Sequence, residues 1–416
     1  MAVLIYIEYV ADGGRETVLT ELILYTGIVV GTVLLSYFAL GVLAYIAYTP
    51  HQADSKAEDV TFVVPTIGAA AVRDSLFECL AHHTEKFADY DIYVVTDEGA
   101  DLEAELRAYD GVETMVVPDE YDPTAVAKGR AIQYFIQQVV ADNPDGWYSF
   151  IDDDNLVRGE EFLYEIPYYD ARGYGAMNSV LTPRQGNSAL TYVMDHIRLL
   201  DDLTVFRAFT GLFKRPYIGF HGELLTARGD VLRDVGFDRE SIVEDYAFAA
   251  ELIKAGVPTW QSATRVSILS PHSVTDLLKQ RSRWYIGTWN LLWQTSPVTK
   301  LLTGTRLLSW TAAIVAGPIA FVAGQIGGDL GLPWLFQVAP FLAGVVYGGT
   351  YAYGAVGLGG WTRLRMVVSI PLCVICESIA PIYAVTVADR DFTVINKTDV
   401  DDGDNANTIP NESPAD

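Results

Sequence analysis

The chain has 416 residues, with 53 acidic against 28 basic side chains, a net charge of −25 and 50 % apolar residues. Mean hydropathy is +0.20, high for a water-soluble protein. The acidic balance excludes a nucleic-acid binder, which needs basic patches; three cysteines exclude a disulfide framework.

Residues 1–21 form a short head of no clear type. Leu22–Tyr48 then runs without a charge and is long enough to cross a bilayer with some tilt. It exceeds a signal-peptide core and lacks a small-residue cleavage site, so it reads as a retained span. His51–Glu58 is a polar linker. From there strands and helices alternate. Strands are expected at Val60–Val64, Asp91–Thr96, Glu113–Val117 and Trp147–Ile151, and helices at Val72–His82, Leu102–Tyr109 and Ala125–Val140. This alternation implies right-handed βαβ units and a mostly parallel sheet. Thr66, Asp97 and Asp152 follow strands and gather on one edge, where an open α/β sheet binds its ligand. There is no G-x-G-x-x-G and no Walker motif.

The strand Trp147–Ile151 ends in Asp152-Asp153-Asp154-Asn155. Carboxylates are seldom buried unless paired or bound to a cation. Mg²⁺ and similar hard cations use one or two of them together with substrate phosphates. The run therefore reads as a metal–diphosphate platform, with a helix-capping acidic turn as its alternative.

Beyond Glu160 the pattern loosens. A strand at Tyr174–Thr182 and a helix at Tyr192–Ala208 are expected. Ser241-Ile242-Val243-Glu244 reads as a capping box opening a helix to Lys254, with Asp245 in its first turn and Gly256 ending it. Val266–Leu269 is a strand. Gln280–Trp284 falls on a helix with Trp289 and Trp293 at helical spacings, which suits a membrane interface or a core stripe. Three further spans are expected at about Leu307–Ile326, Trp334–Ala355 and Met366–Val387. Glu377 is the charge within them, a functional-site candidate or a group facing a protein interior. Cys373 and Cys376, inside the last span, read as packing residues. Lys300 and Arg306 before the second span, and Arg363 and Arg365 before the fourth, agree by the positive-inside rule with residues 50–300 on the cytosolic side. Three later spans then leave the head and tail outside, with Asn396 and Asn411 as glycosylation acceptors; the alternative is a cytosolic tail, or an interfacial or re-entrant segment at Phe392–Lys397. The tail, 388–416, is polar, acidic and read as disordered. The spread of carboxylates along the soluble part reads as a hydrated surface suited to high salt.

Asp97, the Asp152–Asp154 run, Val243-Glu244-Asp245 and Gln280-Arg281-Ser282-Arg283-Trp284 occur in the order D, D-x-D, (T/E)-E-D, Q-x-x-R-W. In this the chain resembles the processive-type inverting family-2 glycosyltransferases, with Val243 in place of the usual Thr. Val117–Tyr121, Lys128–Ala131, Phe220–Gly222, Asp238–Asp245 and Ser270–Ser273 resemble the Egghead-type β-1,4-mannosyltransferase branch over residues 60–295. That branch more often carries D-E-E where Asp152–Asp154 stands.

The resemblance implies an α/β, Rossmann-like GT-A cytosolic domain (50–300) ending in an interfacial helix. N- and C-terminal transmembrane helices (22–48 and 307–387) flank it. It implies GDP-mannose as donor, Mg²⁺ or Mn²⁺ as cofactor and a membrane glycolipid or lipid-linked acceptor. Asp154 and Asp152 are the expected metal ligands, Asp152 shared with the nucleotide alongside Asp153. Asp97 is expected on the base and Thr66 on the nucleotide through its backbone, with Lys128 and Arg130 near the diphosphate. Asp245 is the expected general base. Arg281 and Arg283 are expected on the diphosphate and Trp284 on the acceptor sugar, with His221, Gly222, Glu244 and Gln280 around them. Rival readings are a polysaccharide synthase using a UDP-sugar, a polyprenyl-phosphate glycosyltransferase and an inactive membrane scaffold.

Overall fold

The computed structural model describes residues 15–310 and 334–386. Most of the second expected span and the whole tail with its two Asn acceptors lie outside them. The first helix, Arg15–Ala47, begins inside the segment read as a head. Its Leu24–Ala47 portion is long and apolar enough to cross a membrane.

The strands are β1 (Val60–Pro65), β2 (Ile92–Asp97), β3 (Glu113–Val117), β4 (Trp147–Phe150), β5 (Leu156–Val157), β6 (Ala176–Arg184), β7 (Leu225–Arg228) and β8 (Thr259–Leu269). They form one sheet in the order β3-β2-β1-β4-β7-β6-β8-β5. The first four are parallel, with Val64 beside Val94 and Val63 beside Phe150. The rest corrects the expectation of a mostly parallel sheet. β7 runs antiparallel to β4 and β6, β6 and β8 are parallel, and β5 closes the edge antiparallel to β8. β7 is only four residues long and sits just after a motif loop, so local periodicity does not reveal it.

Side chains alternate across the pleat. Phe62 and Val64 face a core with Leu76, Phe87, Phe162 and Trp260. Val63 and Phe150 face another with Phe135, Phe237 and Phe248. Covered on both faces, β4 is buried at every position.

The helix Ala189–Asp201 widens into a π-helical stretch, Asp202–Leu212, against which the first helix packs. A Cβ on Gly41 would lie 2.2 Å from Thr204 Cβ, so only glycine permits this approach. Trp334–Val356 packs on both Arg15–Ala47 and Ala189–Asp201. It was expected as a span, but Tyr, Gly and Thr run through its second half; among the described helices, only the first is both long and apolar enough alone. The expected last span is two helices, Gly360–Val368 and Ile370–Thr386, bent by 56°. Pro371 explains the break, because it lacks an N–H and disfavours helical geometry at Ile370.

Candidate active site

Three parallel strands deliver Thr66, Asp97 and the Asp152–Asp154 run to one edge. Beyond β1, the Thr66 hydroxyl donates to Asp153 Oδ2 at 2.8 Å. The Thr66 N–H is bonded to Val95 O at 2.9 Å. Asp97, at the end of β2, pairs with Arg130. Arg130 also donates to Pro118 O and Tyr121 O, so it is fixed beside Asp97 rather than near the Asp152 turn. Burial raises the Asp97 carboxyl above its ordinary range, with Arg130 opposing. Arg184, which the sequence reading missed, donates to Asp154 O at 2.8 Å and pairs with Glu78, bracing the acidic turn.

Lys128 reaches the same turn. Its helix starts later than expected, at Lys128, because Asp238 holds the Ala125 N–H and Ala127 turns at φ 48°. Lys128 pairs with Asp152 and lies 3.5 Å from Glu244. Burial works against its charge, yet Asp152 and Glu244 hold the ammonium above the ordinary lysine value.

The expected capping box does not form. Ser241 Oγ accepts from Val243 N instead, and the helix begins at Glu244. Asp245 Oδ1 accepts from Tyr246 N at 2.7 Å. Burial and the charge of Glu244 push the Asp245 carboxyl up to about 7, with Lys128 opposing. A Cβ on Gly222 would lie 2.6 Å from Lys128 Nζ, 3.6 Å from Asp152 Oδ1 and 3.8 Å from Asp245 Oδ2. This glycine is therefore where the strand-end motif, the lysine and the candidate base meet.

His221 is buried between Asp202 and Glu223, 3.1 and 3.2 Å away. Burial opposes its charge, but these carboxylates push it up to about 10. Glu223 also pairs with Arg198. Arg198 and Asp202 were missed because Tyr192–Ala208 reads only as a helix, with no motif to single them out.

The helix Val274–Leu292, capped by Ser273, carries the last motif. Arg281 was expected on the diphosphate. It is instead buried, donating to Asp195 Oδ1 at 2.8 Å with Glu377 Oε1 3.4 Å away. Trp284 lies between Arg198 and Arg281, 4.8 and 4.6 Å from its ring centre. Trp293 is 65 % exposed, so the two tryptophans have different surroundings.

A cavity of about 410 Å³ joins these parts. Thr66, Asp97, Lys128, Asp152–Asp154, His221, Gly222, Glu244, Asp245, Gln280, Arg281, Arg283 and Trp284 all line it. Arg130 stands behind Asp97. The wall continues to Leu34 and Phe38 of the first helix and Val346 and Tyr347 of Trp334–Val356. Among the described residues no three His, Cys, Asp or Glu converge to cage an ion. Asp152 and Asp154 on one wall suit a hard cation that takes its remaining oxygens from a diphosphate.

Residues 147–351 match the family described as glycosyl transferase family group 2. The chain is 26 % identical over 356 residues to the β-1,4-mannosyltransferase egh of Drosophila melanogaster, covering 80 % of this chain and 75 % of that one. It is 24 % identical over 327 residues to the β-1,4-mannosyltransferase bre-3 of Caenorhabditis elegans, covering 73 % and 70 %. Its fold is similar to that of a mannosyltransferase from Pyrobaculum calidifontis solved with GDP-Man and Mn²⁺, with TM-score 0.50, 14 % identity and coverage of 86 % and 99 %. With a Rossmann-like mixed sheet whose strand ends and flanking helices bring the four motifs to one cavity, the chain carries a family-2 glycosyltransferase domain over residues 147–351 and is an enzyme.

Proposed function

We propose that this enzyme is a membrane-bound inverting mannosyltransferase that moves mannose from GDP-mannose to a hydroxyl of a membrane glycolipid or lipid-linked glycan. The observation that carries the reading is the meeting of Asp152, Lys128 and Asp245 at Gly222, inside a cavity that runs on to the apolar helices. The mannosyl donor is supported by the names of the relatives and by the GDP-Man in the Pyrobaculum structure. The first helix and the C-terminal helices seat the chain in the cell membrane, and residues 50–300 face the cytosol, where sugar nucleotides are made.

Asp97 takes the base of the nucleotide, and Asp152 with Asp153 its ribose and phosphate end. Asp154, with Asp152, would hold Mg²⁺ or Mn²⁺, which neutralises the charge of a leaving diphosphate. Lys128 and Arg283 add positive charge there. Trp284 presents an aromatic face to the acceptor sugar. Asp245 takes the proton of the acceptor hydroxyl while that oxygen attacks the anomeric carbon. The bond to the diphosphate breaks on the opposite face, which inverts the centre.

The test is release of nucleotide diphosphate from a panel of sugar nucleotides by purified protein with lipid extract. GDP-mannose should turn over best and only with divalent metal. Equal or better use of UDP-glucose or UDP-N-acetylglucosamine would overturn the donor assignment.

A further inference from the structure

Both ring nitrogens of His221 face acceptors. Nε2 lies 3.1 Å from Asp202 Oδ1 and 3.2 Å from Ser179 O, and Nδ1 lies 3.2 Å from Glu223 Oε2. A neutral imidazole carries one N–H and one lone pair, so one nitrogen would turn its lone pair on an acceptor. Only the imidazolium, with an N–H on each side, suits both. The charges then alternate from Arg198 to Glu223, His221 and Asp202, and none of these side chains is more than 10 % exposed. Nearby, Arg281 lies between Asp195 and Glu377, Arg306 pairs with Asp201, and Lys128 faces Asp152 and Glu244. Each of these cations already answers a carboxylate, so none of them replaces the imidazolium charge.

What His221 holds is the segment Phe220–Leu224. Gly222 stands between His221 and Glu223, at the point where Lys128, Asp152 and Asp245 converge. The His221 N–H donates to Asn178 Oδ1 at 3.3 Å, and Glu223 O accepts from Ser179 Oγ at 2.7 Å, so β6 ties the backbone on both sides of the glycine. Leu224 follows, buried at φ 55°, a conformation that strains a leucine and persists only where the surroundings hold it. With both nitrogens engaged inside the protein, the His221 ring has no donor left for a substrate.

We infer that His221 is a positioning residue: as an imidazolium it clamps Glu223 to Asp202 and so fixes Gly222 against Lys128, Asp152 and Asp245, in place of the acceptor contact expected from the sequence. Its effect on the chemistry rests on reading the cavity as a glycosyl-transfer site.

The experiment has two readouts, both on the full chain in nanodiscs. The first is the long-range ¹H–¹⁵N spectrum of histidine-labelled protein at about pH 8.5, well above the ordinary histidine value of about 6.5. One imidazolium, protonated at both nitrogens, should persist in the wild type and vanish in His221→Gln. Its absence from the wild type, or its survival in that variant, would overturn the inference.

The second readout is steady-state turnover with whichever sugar nucleotide the enzyme uses, beside calorimetric titration of the matching nucleoside diphosphate with Mn²⁺. His221→Gln should lower kcat about 10²-fold, the cost of shifting a site group by about 1 Å, with KM for the lipid extract and diphosphate affinity within a few-fold. Adding Asp202→Asn removes the carboxylate left unanswered and should bring kcat back to within about tenfold of wild type. A double variant no faster than the single marks a merely structural histidine, and a raised KM at unchanged kcat marks an acceptor contact; either result would overturn the inference. If His221→Gln fails to bind the diphosphate, the wild-type spectrum decides. Failure of GDP-mannose turnover would remove the donor assignment and leave both readouts standing.

Discussion

The Thr66 hydroxyl reaches across from the end of β1 to donate to Asp153 Oδ2 at 2.8 Å, linking two strand ends beneath the acidic turn. Both side chains are buried. Thr66→Val keeps the shape and removes this donor. It should cost about 1–3 kcal/mol of stability, the penalty for under-satisfying a buried polar group. It should also weaken GDP binding with Mn²⁺ several-fold, and Thr66→Ser should restore both. Urea unfolding and calorimetry would check this.

Gly222→Ala places a methyl 2.6 Å from Lys128 Nζ. The ammonium is the far end of a flexible chain, so the fold should survive while Lys128 is displaced from Asp152. Misplacement of a site group by about 1 Å can cost about 10²-fold. Turnover should fall by roughly that factor with a nearly unchanged unfolding midpoint.

The reaction's pH dependence follows from Asp245. The base must be ionised, and its carboxyl is pushed up to about 7 by burial and by Glu244. Turnover should therefore rise as pH passes through about 7 and fall below it. Glu244→Gln removes a negative charge that disfavours the ionised form, so the midpoint should move to lower pH. A midpoint that stays in place or rises would detach the profile from Asp245.

Low salt should unfold the enzyme. With a net charge of −25, the chain repels itself most when counterions are dilute. Circular dichroism during removal of KCl should show loss of helix. Full retention in dilute buffer would contradict a salt-adapted surface.

The parallel half of the sheet was legible because apolar runs of strand length alternate with helical spacing from Val60 to Ile151. The same pattern put Thr66, Asp97 and Asp152 on one edge. β7 was not legible, since Leu225–Arg228 is four residues long and its direction depends on β4 and β6, far away in sequence. The motif residues were found from their order, but their partners were not. Asp195 is 86 residues from Arg281, and no spacing rule connects them. Lys128 and Arg130 both read as cations for a diphosphate; the turn at Ala127 and the carbonyls of Pro118 and Tyr121 send them to different carboxylates.

The central claim is that Asp245 moves the proton while the Asp152–Asp154 turn holds the nucleotide. It is tested most directly by comparing Asp245→Asn with Asp154→Asn. For each, turnover of GDP-mannose is measured beside calorimetric titration of GDP with Mn²⁺. Asp245→Asn should lose about 10²–10⁴-fold in turnover with GDP affinity within a few-fold. Asp154→Asn should instead weaken the metal-dependent binding of GDP. Near-normal turnover in Asp245→Asn would contradict the account and move the base elsewhere, with Glu244 the next candidate.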